Sequence, residues 1–581
     1  MNSQKVENQL NLAIDTPVEI RNMTDNLNVG YIPSEKAWEL IVRYEGSLNR
    51  VRALGATVTE LINNYAIIIA PENVIDTLAN LEEIIYIEKP KRLNFAIENG
   101  KRVSCIDSVQ EAPFYLGETA KEGINLTGEG CLLGIIDSGI DYNHKDFLDS
   151  DGNSKILELW DQSIEMSPPK APAGYNRGTL YTKEDIDRVL KIPMTERGRL
   201  VESTDISGHG TAVASIAARV APNAKLIVVK LGIQERNGFP RTTQLMEAID
   251  FCVKKGVWYG RPIAINISFG NNYGSHDGTS LLSTFIDSAS NIGRNVIAIG
   301  TGNEGASSLH TSGKVLPNGQ ENVQLAVGRF EKNISLQLWK TYGDEFKITL
   351  ISPGGVEVSI EDRFRTSVVV NIGDNTLLVY AGEPAPYSLF QEIYVEFIPK
   401  GEYLEDGIWE INIASNRIID GRFVMWLSGD RVSDNTRFVR PIAETTLTIP
   451  STSSKAISVG AYDQLNFSYA DFSGRGFTRN NNQVKPDIVA PGVNIMTASV
   501  GGGEESRTGT SFATPFVTGS SALMMEWGII KGNDRYLYGE KVKAYLIKGA
   551  RRLRGFDVWP NQQLGWGALC LEDSLPLERL N

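Results

Sequence analysis

The apolar positions of the chain change their period several times, and each change marks a different kind of element. From Leu27 to Pro90, ELIVRYEG (Glu39 to Gly46) suits a strand, LNRVRALGA a short helix and TVTELINNYAIIIAP a pair of strands. ENVIDTLANLEEI reads as a second helix and IIYIEKP as a closing strand, with Pro71 and Pro90 as punctuation. That β-α-β-β-α-β order predicts a ferredoxin-like α+β module over residues 28–100. Residues 1–27 are polar and Asn-rich without a sustained period, which predicts a loosely ordered extension carrying no chemistry.

From Gly130 short apolar strands alternate with helices: CLLGIIDSG, a helix after His209, KLIVVKL, LMEAIDFCVKKG, PIAINISFG, LLSTFIDSASNIG and NVIAIGTGN. Strands that are apolar throughout are buried on both faces, so this stretch predicts an α/β domain, a parallel sheet wrapped by helices. Ligands of such sheets collect at the carboxyl ends of the strands. Between about Thr311 and Glu444 the helical period vanishes. NVQLAV, ISLQLW, FKITLI, TSVVVNI, TLLVYA, IYVEFI, IWEINIA and RFVMWLS recur instead, separated by SPGG, GDN and EDG. These predict an all-β sandwich or jelly roll. The α/β pattern resumes at KAISVGA, so the β-unit (311–444) reads as an insertion between the two parts of one larger domain, 101–310 and 445–581.

Composition narrows the function. The 581 residues are 41% hydrophobic and 22% charged, which fits a globular, enzyme-sized chain. A net charge of −13 argues against gripping a polyanion, so no nucleic-acid partner is expected. The four cysteines are scattered without a CxxC pair, which signals neither a disulfide framework nor a structural zinc site and leads to the expectation of a reducing compartment. No basic and apolar leader opens the chain and no long apolar run interrupts it, so neither a Sec signal peptide nor a membrane span is expected.

Three segments join one reactive side chain to small neighbours. In GIIDSGID an apolar strand ends in Asp137; in GHGTAVASIAAR, His209 lies between two glycines and opens an Ala-rich helix; in TGTSFATPFVTGSSALMM, Ser511 follows a Gly-Thr turn and starts a helix whose first turn is expected to hold Pro515. Singly, each has an ordinary explanation: a strand-end turn, a surface histidine, a helix N-cap. Together they follow the chain order Asp, His, Ser, each inside its own Gly-containing motif.

On these residues the chain resembles the subtilisin-like (subtilase, S8-type) serine proteases, over about Leu116 to Ser308 and Thr445 to Leu571. The resemblance implies a catalytic triad of Asp137, His209 and Ser511. NISFG resembles the strand on which the family lays extended substrate, and with TGNEG it implies substrate contacts at Ser268, Phe269, Gly270, Thr301 and Gly302. Asn303 takes the place of the oxyanion-hole asparagine. DFSGRG and KPDIVAPG also match and read as scaffold. Residues 28–100 then resemble the family's propeptide, an inhibitor and folding assistant removed by self-cleavage, with the cut expected between Arg92 and Cys105. The whole arrangement resembles the Csp-type germination proteases of clostridial spores, which activate a cortex-lytic precursor. It implies a self-processing zymogen, cytoplasmic or spore-associated, whose partners are a protein substrate and its own cleaved propeptide. The competing readings are a general degradative subtilase and a propeptide-plugged pseudoprotease that acts by binding. AARVAPNAKLIVVKL lacks the longer loop that forms the calcium site of secreted subtilisins, so no metal or cofactor is expected.

Overall fold

The computed structural model describes residues 5–16, 21, 28, 30–90, 96–110, 124–166, 170–231, 240–361, 364–385, 388–427 and 435–576. The chain forms two compact units, Met1–Phe95 and Ala96–Asn581. In the first, Ala37–Tyr44 lies between Tyr65–Pro71 and Ile84–Glu88, and Thr57–Leu61 pairs with the far edge of Tyr65–Pro71, all antiparallel. Helices Asn49–Ala53 and Ile75–Ala79 connect these strands in the order read from the sequence. The alternation of Trp38, Leu40 and Val42 inward and Glu39 and Ile41 outward is the signature of a sheet covered on one face. The polar amino-terminal stretch is less idle than expected. It contributes a helix, Asn8–Asp15, and Val6, Leu10 and Ala13 are buried in the same core.

The second unit contains a mainly parallel sheet whose central strands run Ile457–Asp463, Asn295–Gly300, Ile263–Ile267, Leu132–Asp137, Lys225–Lys230 and Ile156–Asp161. Antiparallel strands Ser468–Tyr469 and Thr179–Thr182 close its edges, and Ile488–Pro491 pairs with Ile457–Asp463. One face packs against helices His209–Val220 and Thr510–Met525 through Leu133, Ile135, Ala212 and Phe516. The other packs against Thr242–Trp258 and Leu281–Ala289 through Ile136, Ile227, Leu245 and Ile286. The first helix pair touches because its residues are small. A Cβ on Gly519 would lie 2.5 Å from Val220 Cβ, so only glycine lets the two helices come this close.

Between these parts two antiparallel sheets share an apolar core that includes Phe346, Leu377, Phe397 and Trp409. The six-stranded sheet runs His310–Lys314, Arg422–Leu427, Ile334–Thr341, Phe390–Pro399, Asn375–Ala381 and Phe364–Ile372. The five-stranded sheet runs Glu357–Glu361, Glu345–Ile351, Gly407–Arg417, Gln320–Val327 and Arg437–Phe438. Every strand read from the sequence is present; the additional ones, His310–Lys314, Glu357–Glu361 and Arg437–Phe438, are short and carry few apolar positions.

One feature overturns a sequence expectation. Cys105 and Cys570 form a disulfide, with Cα atoms 4.9 Å apart and a sequence separation of 465. Scattered spacing hid the pair, because fold topology rather than local sequence brings its ends together. The bond also removes the ground for expecting a reducing compartment, since disulfides persist where thiols are oxidised. Cys131 and Cys252 are buried thiols. Among the described residues, no helix is long and apolar enough to cross a membrane.

Candidate active site

Asp137 ends the strand Leu132–Asp137 at the carboxyl edge of the sheet and is 1% exposed. Its Oδ1 accepts from the Ser138 amide at 2.8 Å and meets His209 Nδ1 at 2.7 Å. Its Oδ2 has no hydrogen-bond partner among the described residues. A buried carboxylate committed to Nδ1 fixes the imidazole's orientation and leaves Nε2 as the nitrogen that can exchange a proton.

His209 is the first residue of its helix, and Gly208 before it sits at φ 71°, the left-handed region that favours glycine. No Gly208 side chain can cap this helix, and Asp205 supplies the missing acceptor. It takes hydrogen bonds from the Gly208 and Thr211 amides at 3.0 and 2.8 Å, and from the Ser138 and Thr211 hydroxyls at 2.9 and 2.8 Å. A carboxylate there also complements the positive end of the helix dipole. Sequence reading missed Asp205; the available signal was an acidic residue just ahead of a helix start. Burial pulls the His209 imidazole toward its neutral form. Asp137, by charge and hydrogen bond, and Asp205 behind it outweigh that pull and hold the ring above the ordinary histidine value, with Arg507 opposing them.

Ser511 is the second residue of the helix Thr510–Met525. Pro515 lies inside this helix, beyond the first turn where the sequence reading put it. Its missing amide hydrogen leaves the Ser511 carbonyl without its helical partner, and the Ser268 hydroxyl donates to that carbonyl at 3.2 Å. The Ser511 hydroxyl in turn donates to the Ser268 carbonyl at 3.4 Å, and not to His209. The ring of Phe512, the next residue, lies 5.4 Å from the His209 ring, and that of Phe269 lies 6.1 Å from it. Thus the structure pairs Asp137 with His209 directly, brings the ring of the residue after Ser511 against the imidazole, and turns the Ser511 hydroxyl to Ser268, just past the strand Ile263–Ile267.

Asn303 Oδ1 accepts from the Thr510 amide at 3.0 Å and the Thr510 hydroxyl at 3.2 Å. With the oxygen so engaged, the Nδ2 end is the one left to donate. Asn303 and Ser511 line a cavity of about 190 Å³ together with Ser268, Phe269, Gly270 and Gly302. Thr301 is the exception among the expected contacts. It is fully buried with its hydroxyl toward Ser473, and the lining passes from Gly300 to Gly302. Glu304, Thr448 and Thr510 complete the wall. Thr448 was invisible beforehand because it follows the β-unit in sequence and returns through space, its amide donating to Thr301 O at 2.9 Å. Among the described residues no cluster of three or more His, Cys, Asp or Glu could hold a metal ion.

Residues 4–91 match the Csp protease B prodomain, and residues 128–383 and 405–567 match the subtilase family. The fold is similar to that of the CspB protease of Clostridium perfringens, with a TM-score of 0.74 and 35% identity, covering 82% of this chain and 96% of that one. The minor extracellular protease Vpr of Bacillus subtilis is 24% identical over 503 residues, 80% of this chain and 54% of the relative. The PI-type proteinase of Lactococcus lactis subsp. cremoris is 24% identical over 464 residues, 72% of this chain and 23% of the relative. The chain therefore spans about half the length of Vpr and under a quarter of the lactococcal proteinase. With the subtilase match covering more than half of its residues, the chain belongs to the subtilase family.

Proposed function

We propose that the protein is a serine endopeptidase made as a self-processing zymogen, acting through Asp137, His209 and Ser511. The observation that carries this reading is the 2.7 Å contact of His209 with a buried carboxylate, supported by a helix-borne serine and an asparagine that line one cavity. Rotation about the Ser511 side chain takes its hydroxyl from the Ser268 carbonyl toward His209 Nε2. The oxygen then attacks the scissile carbonyl, His209 removes its proton and later delivers it to the leaving amine, and Asp137 stabilises the imidazolium between the two steps. Asn303 Nδ2 and the Ser511 backbone amide at the positive end of the helix receive the developing oxyanion. Ser268, Phe269 and Gly270 hold the substrate as an added strand, and Gly302 shapes the wall opposite.

Residues 28–100 act as the inhibitory propeptide. Within the expected cleavage stretch, 92–95 lie outside the described residues, whereas Ala96–Val103 is helical. The cut remains expected between Arg92 and Cys105, outside the helix Ala96–Val103 or after its local opening. The β-unit reads as an inserted jelly roll. Supporting this, its sheets interleave in the order of two Greek keys, His310–Lys314, Arg422–Leu427, Ile334–Thr341 and Phe390–Pro399 against Gln320–Val327, Gly407–Arg417, Glu345–Ile351 and Glu357–Glu361. The likeness to CspB, together with the matching prodomain, favours limited cleavage of one precursor protein, such as a spore cortex-lytic enzyme, over general degradation.

The test is fluorophosphonate labelling and peptide turnover by purified wild type and Ser511→Ala. Labelling at Ser511 that disappears in the variant, with turnover lost, is expected. Equal turnover by both proteins refutes the assignment, and extensive cleavage of denatured casein favours the degradative reading.

A further inference from the structure

Past the strand Ile263–Ile267 the chain lines the first cavity at Ser268–Gly270 and then runs through Asn271–Thr279, and the near side of that segment walls a second cavity of about 260 Å³, lined by Phe269, Gly270, Asn271, Tyr273, Ile449 and Pro450 among others. Asn271 and Ile449 hold each other across this wall, each amide donating to the other's carbonyl at 3.0 and 2.8 Å. The far side of the segment is held by the β-sandwich, through side chains that sequence reading assigned only to packing.

Three grips are visible. The Gly274 amide donates to Gln337 Oε1 at 3.0 Å, and Gln337 Nε2 donates to Glu392 Oε1 at 2.6 Å, so a polar side chain only 6% exposed spends both its ends on this link. The His276 ring stacks on Trp426 at 4.1 Å with 10° between planes, and Trp426 is itself fixed by a hydrogen bond to Thr445 O at 3.2 Å. Arg479 donates to Ser275 O at 2.6 Å and pairs with Asp277 at 3.3 Å, while its guanidinium lies 5.0 Å from the Trp339 ring and 4.5 Å from that of Phe390. Gln337, Trp339, Phe390 and Trp426 all belong to the six-stranded sheet. His276 and Asn318-like surface turns share a left-handed backbone, but His276, at φ 51°, is 1% exposed and adopts it under these contacts.

We propose that the β-sandwich sets the peptide-binding wall of the cleft, with Gln337 and Trp426 as positioning residues that hold Asn271–Thr279 in place for extended substrates. The proposal rests on the protease reading above. A polar residue buried simply for packing would not need a glycine amide from another lobe as its partner, and an unsatisfied amide or carboxamide there is costly enough to make the link selective for one loop position. The sandwich touches neither Ser511 nor His209 through these grips, so its effect falls on recognition of the substrate chain and not on bond making.

The experiment compares two substrates on the purified full chain. One is a single-residue acyl nitrophenyl ester, which needs only Ser511 and the cavity beside it; the other is a pentapeptide nitroanilide, which must lie along Ser268–Gly270 and past Asn271. Gln337→Met is expected to raise KM for the pentapeptide about tenfold, with kcat for both substrates and KM for the ester within about twofold of wild type. Gln337→Glu, which restores an acceptor to Gly274 and can share a proton with Glu392, is expected to recover most of the loss. Trp426→Leu raises pentapeptide KM, and Trp426→Phe, which keeps a stacking ring, does so less. An unchanged pentapeptide KM in Gln337→Met and Trp426→Leu overturns the proposal, as does a proportional loss of kcat on both substrates, which marks general unfolding. If wild type neither turns over the ester nor takes the fluorophosphonate label, the protease reading has failed and this proposal falls with it.

Discussion

The α/β part and the β-sandwich of the second unit bury their residues in opposite ways. In the α/β part the central strands are buried on both faces, as in Leu132–Asp137, and the proposed reactive groups stand where a strand ends and two small-residue helices begin. In the sandwich strands such as Phe390–Pro399 alternate, whereas Ile334–Thr341 is buried at successive positions because its outer-face side chains, Gln337 among them, reach the α/β part. Burial on both faces makes a rigid platform whose edges can carry chemistry; alternation leaves one face free to grip another part of the molecule. On the proposed reading chemistry and recognition are divided between the two, and perturbing one should leave the other measurable.

The largest effect belongs to the α/β part. Ser511→Ala is expected to lower kcat by about six decades while leaving thermal stability nearly unchanged, read by peptide turnover and calorimetry. The reverse pattern is expected for Trp409→Ala. Trp409 is fully buried in the sandwich core, and its truncation should cost about 3–5 kcal/mol of stability in denaturant unfolding. Its effect on ester turnover by the protein that remains folded should be small. If Trp409→Ala instead abolishes kcat at temperatures where the protein is folded, the division of labour is wrong. Asn303→Ala comes next, with a loss of about 10²–10³ in kcat and little change in KM, as expected of a donor used only in the transition state.

Smaller effects come from pH. Buried His276 and His310, which flank the Trp426 ring, are both pushed down to about 4 by burial. Each stays neutral in the folded protein while the unfolded chain takes up a proton near the ordinary value. Their contribution to stability is therefore complete above about pH 6.5 and is lost as pH falls toward 4, a decline on the order of a few kcal/mol in urea titrations. His209 runs the other way. Its raised value means that the neutral base, and hence turnover, appears only above the pH of an ordinary imidazole. Asp205→Asn should move that limb of the kcat/KM profile downward. A limb that does not move would remove Asp205 from the electrostatics of the site.

The proposed catalytic residues stood out in the sequence because acyl transfer would constrain their neighbours as well as the reactive atoms. Gly208 must turn left-handed before His209, and the Ala and Gly residues after His209 and Ser511 must let two helices touch, so the chemistry leaves a local imprint. The sandwich strands were legible through alternation. What escaped lies in pairings across long sequence distances: Asp205 with Ser138, Thr448 with Thr301, Gln337 with Gly274, Cys105 with Cys570. Ser138 and Thr301 lie in motifs, but nothing in those motifs names Asp205 or Thr448 as a partner, and only topology selects the pairs. Pro515 was misplaced for a different reason. Its lost helical hydrogen bond is compensated by Ser268, just past the strand Ile263–Ile267, so local propensity alone could not allow it inside the helix.

The Cys105–Cys570 bond makes a covalent ring of almost the whole second unit. Both sulfurs are buried, Cys105 at 5% exposure and Cys570 at zero, so a reductant reaches them only when the surrounding structure opens. A molecule trimmed upstream of residue 105 keeps its fresh amino end stapled near its carboxyl end. A later nick in an exposed loop such as the one bearing Ile206 opens the ring without releasing a fragment. In a mixture of proteases that is a form of durability independent of folding free energy, because one severed peptide bond leaves both pieces still joined.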